Sequence, residues 1–263
     1  MAKKETDIVP INQYQIMKSD PAKVGELLLT NLGGDDMSEF DLERIKWPSG
    51  EIPAFARTGE DGNVDTEKEI VGVVIYHGNR RAFWKDKFGE GDKGAPQCSS
   101  LDGKFGTGHI PGDDETAAPL RRSCRTCPMG QFGSAKKDDG SHGRGQACQA
   151  RKMLFLAMPD SILPVGLSIP PTSLKQWKKY AMSCATKGHD IRGVMTKISL
   201  KIEQNADGVK HCVGQFAMVG EITGDELEGI LNMANSLRDV FASVGIDGDD
   251  DGVTPTVHGQ VVN

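Results

Sequence analysis

Residues 194–219, VMTKISLKIEQNADGVKHCVGQFAMV, are the stretch on which the fold depends. Val194, Thr196, Ile198, Leu200 and Ile202 alternate with Met195, Lys197, Ser199, Lys201 and Glu203. A period of two places the first set on one face of a strand and the second on the other. Asn205-Ala-Asp-Gly208 supplies turn chemistry, since Asn and Asp bond their own backbone and Gly accepts positive φ. The run His211–Val219 then returns as the partner strand. A hairpin with one covered and one wet face implies a sheet packed on one side against other elements.

Two further segments belong with that sheet. Ile-Val-Gly-Val-Val-Ile-Tyr, ending at Tyr76, and Met153–Met158 are short apolar runs, the first of them β-branched, and both predict buried strands. Between them, from about 88 to 148, lies a glycine-rich stretch that reads as an insertion between strands of one sheet. Pro170-Pro171-Thr172-Ser173 opens a helix carrying Leu174, Trp177, Ala181 and Cys184 at helical spacing, with its end near Gly188. Thr223-Gly-Asp-Glu226 has the form of a capping box, and Leu227, Ile230, Leu231, Ala234, Leu237, Phe241 and Val244 predict one long amphipathic helix. Asp20-Pro21 predicts another helix start, with Val24, Leu27, Leu28 and Leu32 on one face. The chain is expected to be a β-rich α+β protein. It has a flexible arm over 1–20, one domain over 21–245, the insertion at about 88–148, and an acidic, disordered tail over 246–263.

The insertion holds the chemistry. Cys98, Cys124, Cys127 and Cys148 are spaced C-x25-C-x2-C-x20-C. A two-residue gap lets two thiolates close on one tetrahedral ion, and two outer cysteines arriving from separate loops complete four ligands. A glycine-rich segment has little apolar material to hold itself together, so these four residues are expected to bind a structural Zn2+. His109 and His142 remain as alternative ligands. Reduced, unliganded thiols and redox chemistry are the competing readings, the latter lacking the strand-then-helix flanks of a thioredoxin-like motif. Cys184 and Cys212 fall in patterned segments and read as core residues.

Charge is unevenly distributed. The formal net charge is −6, yet residues 80–152 hold 14 Lys/Arg against 9 Asp/Glu, whereas residues 221–263 hold only Arg238 against nine acids. Arg80, Arg81, Phe83, Trp84, Lys85 and Phe88 interleave cations with aromatics, and Arg121, Arg122, Arg125 and Phe132 flank the cysteines, with Phe105 nearby. Aromatic faces stack on unpaired bases at roughly 1–3 kcal/mol each, while cations follow the phosphates. Arg80, Arg81, Phe83, Trp84, Lys85, Arg121, Arg122, Arg125 and Phe132 are therefore the expected contacts to a single strand. No nucleophile-elbow, zinc-protease or Walker motif is present, so a non-catalytic role is expected. Asp35-Asp36 and Asp113-Asp114-Glu115 keep a metal-dependent nuclease as an alternative. Asp247–Gly252 matches half of a calcium loop but places His258 where a glutamate is needed. No apolar run approaches membrane-spanning length and the first residues carry no apolar signal segment.

Phe40–Gly50, Arg80–Trp84, Pro96–Gly103, Cys124–Ser134 and Gly145–Arg151 resemble a bacteriophage and prophage family of cysteine-motif proteins from replication regions. In plan the chain is similar to the zinc-containing single-stranded DNA-binding proteins of T-even phages. It differs from them in offering four cysteines rather than three and a histidine. The resemblance implies an oligonucleotide-binding (OB-like) barrel with a zinc-stapled insertion. It further implies a sequence-tolerant single-stranded DNA-binding protein of phage replication or recombination, in the cytoplasm of a bacterial host. RNA is left open as the strand, and the acidic tail is expected to meet replication or recombination proteins. A zinc-stabilised protein-interaction or virion structural protein is the reading from a different class.

Overall fold

The computed structural model describes residues 41–48, 52–58, 64–85, 95–136, 140–159, 163–205 and 208–246, with positions 30, 31, 33, 35 and 161 besides. The expected arm, nearly all of the first helix, Phe88 and the segment from Asp247 onward lie outside the described residues.

The strands are β1 (Arg44–Lys46), β2 (Phe55–Thr58), β3 (Val64–Glu67), β4 (Glu69–Phe83), β5 (Cys98–Ser100), β6 (Phe105–Gly108), β7 (Leu120–Ser123), β8 (Gln149–Ala157), β9 (Val165–Ile169), β10 (Val194–Gln204) and β11 (Lys210–Glu221). The helices are α1 (Leu174–Thr186), α2 (Gly224–Ser236) and α3 (Arg238–Ser243). All strands join one mixed sheet in the order β3-β2-β1-β9-β8-β4-β5-β6-β7, with β10 on β4 and β11 on β10. The only parallel pair among the described residues is β1 with β9. The β-rich α+β class is what the structure has. Among the described residues no ladder links β11 back to β3, so the sheet is open rather than closed into a barrel.

The long strand β4 organises this sheet. One edge pairs with β8 from Val73 to Ala82. Its other edge takes β10 at residues 69–73 and β5 at residues 81–83. The hairpin and the cysteine insertion thus hang from opposite ends of one strand, about 30 Å apart at about 3.3 Å per residue. Ile75 is the extra residue of a bulge against β8, where the register shifts between Val74 and Tyr76, and such a bulge exchanges the faces of all residues beyond it. Before it, Ile70 and Val74 pack with Trp177, Tyr180 and Cys184 of α1, while Val73 and Ile75 pack with Ile230, Ala234 and Phe241 of α2 and α3. Beyond it, Tyr76 joins the α3 side and His77 stands 5.7 Å from Trp177 on the α1 side.

The hairpin of β10 and β11 forms as expected, with Glu203 opposite His211 and Ile198 opposite Phe216. Asn205 closes its turn, its Oδ1 accepting from the Val209 N–H at 2.9 Å. Several expectations change. The segment from Arg80 to Phe83, expected immediately after a strand ending at Tyr76, is the end of β4 itself. The insertion is not irregular: β5, β6 and β7 form an antiparallel meander that extends the sheet from β4 through β5. The single long C-terminal helix breaks at Leu237, whose φ of −98° and ψ of 7° leave the helical region. Thr223 is the N-cap residue, but its side chain makes no cap hydrogen bond. Val244 and Ile246 are buried, so the packed domain extends one residue into the segment read as tail.

Candidate metal centre and nucleic-acid interface

Strand alternation settles what each residue of the Arg80–Lys85 stretch can do. Arg80 shares a face with Tyr76 and points under α3, where it is 1% exposed. Its Nε donates to the Val244 carbonyl at 2.7 Å, and Nη2 donates to the carbonyls of Phe241 at 2.7 Å and Ala242 at 3.2 Å. Nη1 donates to the carbonyls of Asn79 and Leu101. The last turn of a helix leaves carbonyls without partners, and one planar guanidinium here caps the end of α3 and ties it to the β5–β6 turn. Gly78 makes room for it, since a Cβ there would lie 2.5 Å from Nη1. Arg80 is a structural cation, and its expected role as a strand contact is withdrawn: a buried guanidinium with five carbonyl acceptors has nothing left for a phosphate.

Arg81 and Phe83 face the other way, toward the cysteines. Phe83 is buried in a small cluster with Cys98 and Cys148, so it too is interior rather than a stacking platform. Arg81, Phe83, Gly106, Arg122, Cys98, Cys124, Cys127 and Cys148 all line one cavity of about 10 Å³, room for about one atom-sized occupant. Cys98 arrives on β5, while Cys124 and Cys127 follow β7. Cys148 precedes β8, and its N–H is bonded to the Met129 carbonyl at 2.8 Å. The turn after Cys127 is tight, with Gly130 N–H donating to the Cys127 carbonyl at 3.0 Å. A Cβ at Gly130 would come within 2.8 Å of Arg81 Nη1 and 2.9 Å of the Cys124 carbonyl. Gly106 keeps the space between sulfurs: its Cβ would lie 3.1 Å from Cys98 Sγ and 3.6 Å from Cys124 Sγ. None of the four is in a disulfide.

As the side chains stand, no group of three or more His, Cys, Asp or Glu among the described residues is close enough to hold a metal ion. The thiols nonetheless surround one small void, and neutral thiols have no force that would draw their sulfurs to the roughly 2.3 Å radius of a zinc site. Two further observations fit a thiolate cluster. Among the described residues Arg81 Nη1 and Arg122 Nε are buried without hydrogen-bond partners, both at this cavity. Orphaned buried N–H groups are rare enough to demand an acceptor, and the cysteine sulfurs that line the cavity would be such acceptors if charged. Burial pushes the Cys148 thiol up to about 12 against the pull of Arg81, and pushes Cys98 up against the pull of Arg122. Without a metal these thiols hold their protons at neutral pH, and a bound metal must displace them. His109 and His142, the alternative ligands, do not line the cavity; His142 Nδ1 lies 2.9 Å from the Gly133 carbonyl.

The remaining expected contacts are at the surface. Phe132 is 83% exposed, an unusual state for a phenylalanine. It sits on the Cys127–Ser134 turn, where Gln131 Nε2 donates to the carbonyls of Arg125 and Cys127 and so holds the backbone of exposed Arg125 against that turn. On the opposite face of β6 and β7, the Arg121 guanidinium lies 4.7 Å from the ring centroid of Phe105, which is 47% exposed. Phe105 was not among the expected contacts; its alternation with Gly106, which faces the cavity, is the signal that would have placed it outward. Lys85 is exposed, its Nζ 2.9 Å from exposed Glu115, a pair of small energetic value in water. Trp84 is half-buried. Arg122 is paired with Asp113, and that guanidinium together with the Ile110 N–H holds the Asp113 carboxyl below its ordinary value. Asp114 accepts from the Thr116 N–H and hydroxyl. Of the carboxylates considered for a nuclease, Asp113 and Asp114 are thus bound into the β6–β7 turn. Cys184 and Cys212 are buried core residues.

Comparison with protein-family models, with curated proteins and with solved structures finds no match to the chain.

Proposed function

We propose that this is a non-catalytic, sequence-tolerant single-stranded DNA-binding protein whose binding edge is held by a zinc ion on Cys98, Cys124, Cys127 and Cys148. Arg81 and Arg122 offset the charge of the thiolates. The zinc has a structural role, because four thiolates leave no open coordination position for a substrate. An open, curved sheet edge serves the purpose for which an OB-like barrel was expected, offering aromatic and basic side chains to an unpaired strand. Its setting in phage replication or recombination, in a bacterial host's cytoplasm, is part of the same reading, and the acidic tail serves as the handle for partner proteins.

The observation that carries the proposal is Phe132, almost wholly exposed beside Arg125, with Arg121 over exposed Phe105 across the same edge strand. Exposed phenyl rings have a hydrophobic cost unless something stacks on them, and bases are the flat partners that a basic rim attracts. Fluorescence anisotropy with labelled oligothymidylate tests it. Phe132→Ala with Arg125→Glu is expected to weaken binding by about 10- to 100-fold, from one stacking contact and one reversed charge. Wild-type protein that shows equal indifference to single strands, duplex and RNA at low salt overturns the proposal.

The acidic segment bears on the same edge. The Gly245 Cα position lies close to the β5–β6 turn, where a Cβ would be 3.7 Å from Leu101, so the last described residues end near the face that carries Phe105 and Arg121. Asp247, Asp249, Asp250 and Asp251 are tethered there at high effective concentration. Truncation after Ile246, which spares the buried Val244 and Ile246, is expected to strengthen oligonucleotide binding several-fold at low salt and little at high salt. Weaker binding by the truncated chain, measured in the same assay, refutes this role.

A further inference from the structure

A second basic site lies at the other end of β4. An open cleft of about 550 Å³ separates α1 from the hairpin of β10 and β11, lined by Gln176, Lys179 and Lys187 on one wall and Lys201, Gln215 and Phe216 on the other. Its size is that of a ligand site rather than a packing gap. Residues 171–189 contain Lys175, Lys178, Lys179 and Lys187 and no acid, and all four lysines are exposed. Glu203 is the one carboxylate on the lining, 3.5 Å from Lys201 Nζ, in a solvent-exposed pair that contributes little. Among the described residues Gln176 Oε1 is buried without a partner, an acceptor that a ligand's donor would satisfy.

The position of this cleft matters as much as its charge. It borders α1, which packs on the face of the sheet toward which Arg81, Phe83 and the cysteines also turn, and Arg125 and Phe132 flank those cysteines. Between the two along β4, His77 and Asn79 are exposed on that same face, and Lys152 Nζ reaches Asn79 Oδ1 at 2.8 Å. We infer that the cleft is a second contact for the same single strand: Lys179, Lys187 and Lys201 take its phosphates, and Gln176 and Gln215 meet base or sugar groups. The site then extends across the sheet from the cysteine edge to α1. This inference rests on the single-strand reading above. It adds a consequence that reading lacks, a dependence of affinity on strand length.

The test compares oligothymidylates of about 8 and about 30 nucleotides, within and beyond the site size of one small β-domain. The triple variant Lys179→Glu, Lys187→Glu, Lys201→Glu alters only exposed positions, and circular dichroism checks that the fold is kept. For the long strand its affinity is expected to fall at least tenfold at low salt. The slope of log affinity against log salt should lose about 2, since each phosphate contact to a single strand contributes about 0.7. The short strand, held at the cysteine edge, should bind as to wild type. Wild-type protein that binds both lengths, with a triple variant matching it on both, overturns the second contact and leaves the first reading standing. Failure of the wild type to bind either length removes both. Equal loss on short and long strands places the primary site in the cleft and overturns the division proposed here.

Discussion

Replacing Cys124 with serine is expected to abolish zinc binding and to unfold residues 98–148 while the hairpin of β10 and β11 persists. The three strands of the insertion are short, three or four residues each, and their shared core is only Phe83, Cys98 and Cys148 with Ile110, Met129 and Ala147 against it. So small a cluster leaves the order of the insertion dependent on a cross-link, because fixing each residue has an entropic cost that little apolar burial offsets here. A structural zinc would supply that cross-link, contributing about 10–16 kcal/mol in small metal-dependent domains. Elemental analysis of metal-replete wild-type protein should return one zinc per chain, and the variant none. Amide exchange should become fast over 98–148 and stay slow in β10, whose Val194, Met195, Thr196 and Ile198 are buried under α1 and α2. The same pattern should follow chelation of the wild type. Wild-type protein without zinc, yet with slow exchange across the insertion, would show that the thiols hold the region unaided and would remove the metal from the proposal.

Arg80→Met is expected to cost about 3–5 kcal/mol of stability, the range for a buried charged network broken from one side. Methionine fills much of the volume but leaves the carbonyls of Phe241, Ala242, Val244 and Leu101 without the donor that now caps them. Arg80→Lys keeps the charge but not the planar fork that reaches several acceptors at once, so it should recover only part of the loss. Chemical denaturation reads both as a lowered midpoint. At temperatures where the methionine variant is folded, its affinity for oligonucleotide should match wild type. Unchanged stability with weakened binding would return Arg80 to the interface and contradict its interior role.

These two residues mark the boundary between what was legible in the chain and what was not. The hairpin of 194–219, the strand at 153–158 and helix α1 could all be read locally, because alternation and helical spacing are written in neighbouring residues. Cys124 and Cys127 stand out locally by their two-residue gap, whereas only the tertiary structure shows that Cys98 and Cys148 line the same cavity. Strands β1, β2, β3 and β9 were not found. They are short, and Trp47 and Phe55, which meet edge to face at 5.4 Å, give them a place only once β9 is beside β1.

The chain by itself determined the β-rich class, the hairpin, the pair of Cys124 and Cys127 and the concentration of positive charge around it. The tertiary structure alone decided which cations face water. Arg80, Arg81, Arg121 and Arg122 are indistinguishable by composition, yet one caps α3, two line the thiol cavity and one lies over an exposed ring. The bulge at Ile75 and the pairing of β4 with β5 set those faces, and a face reversed by one extra residue leaves no trace in local periodicity. The basic cleft beside α1 arose in the same way, from lysines of two elements that only packing brings together.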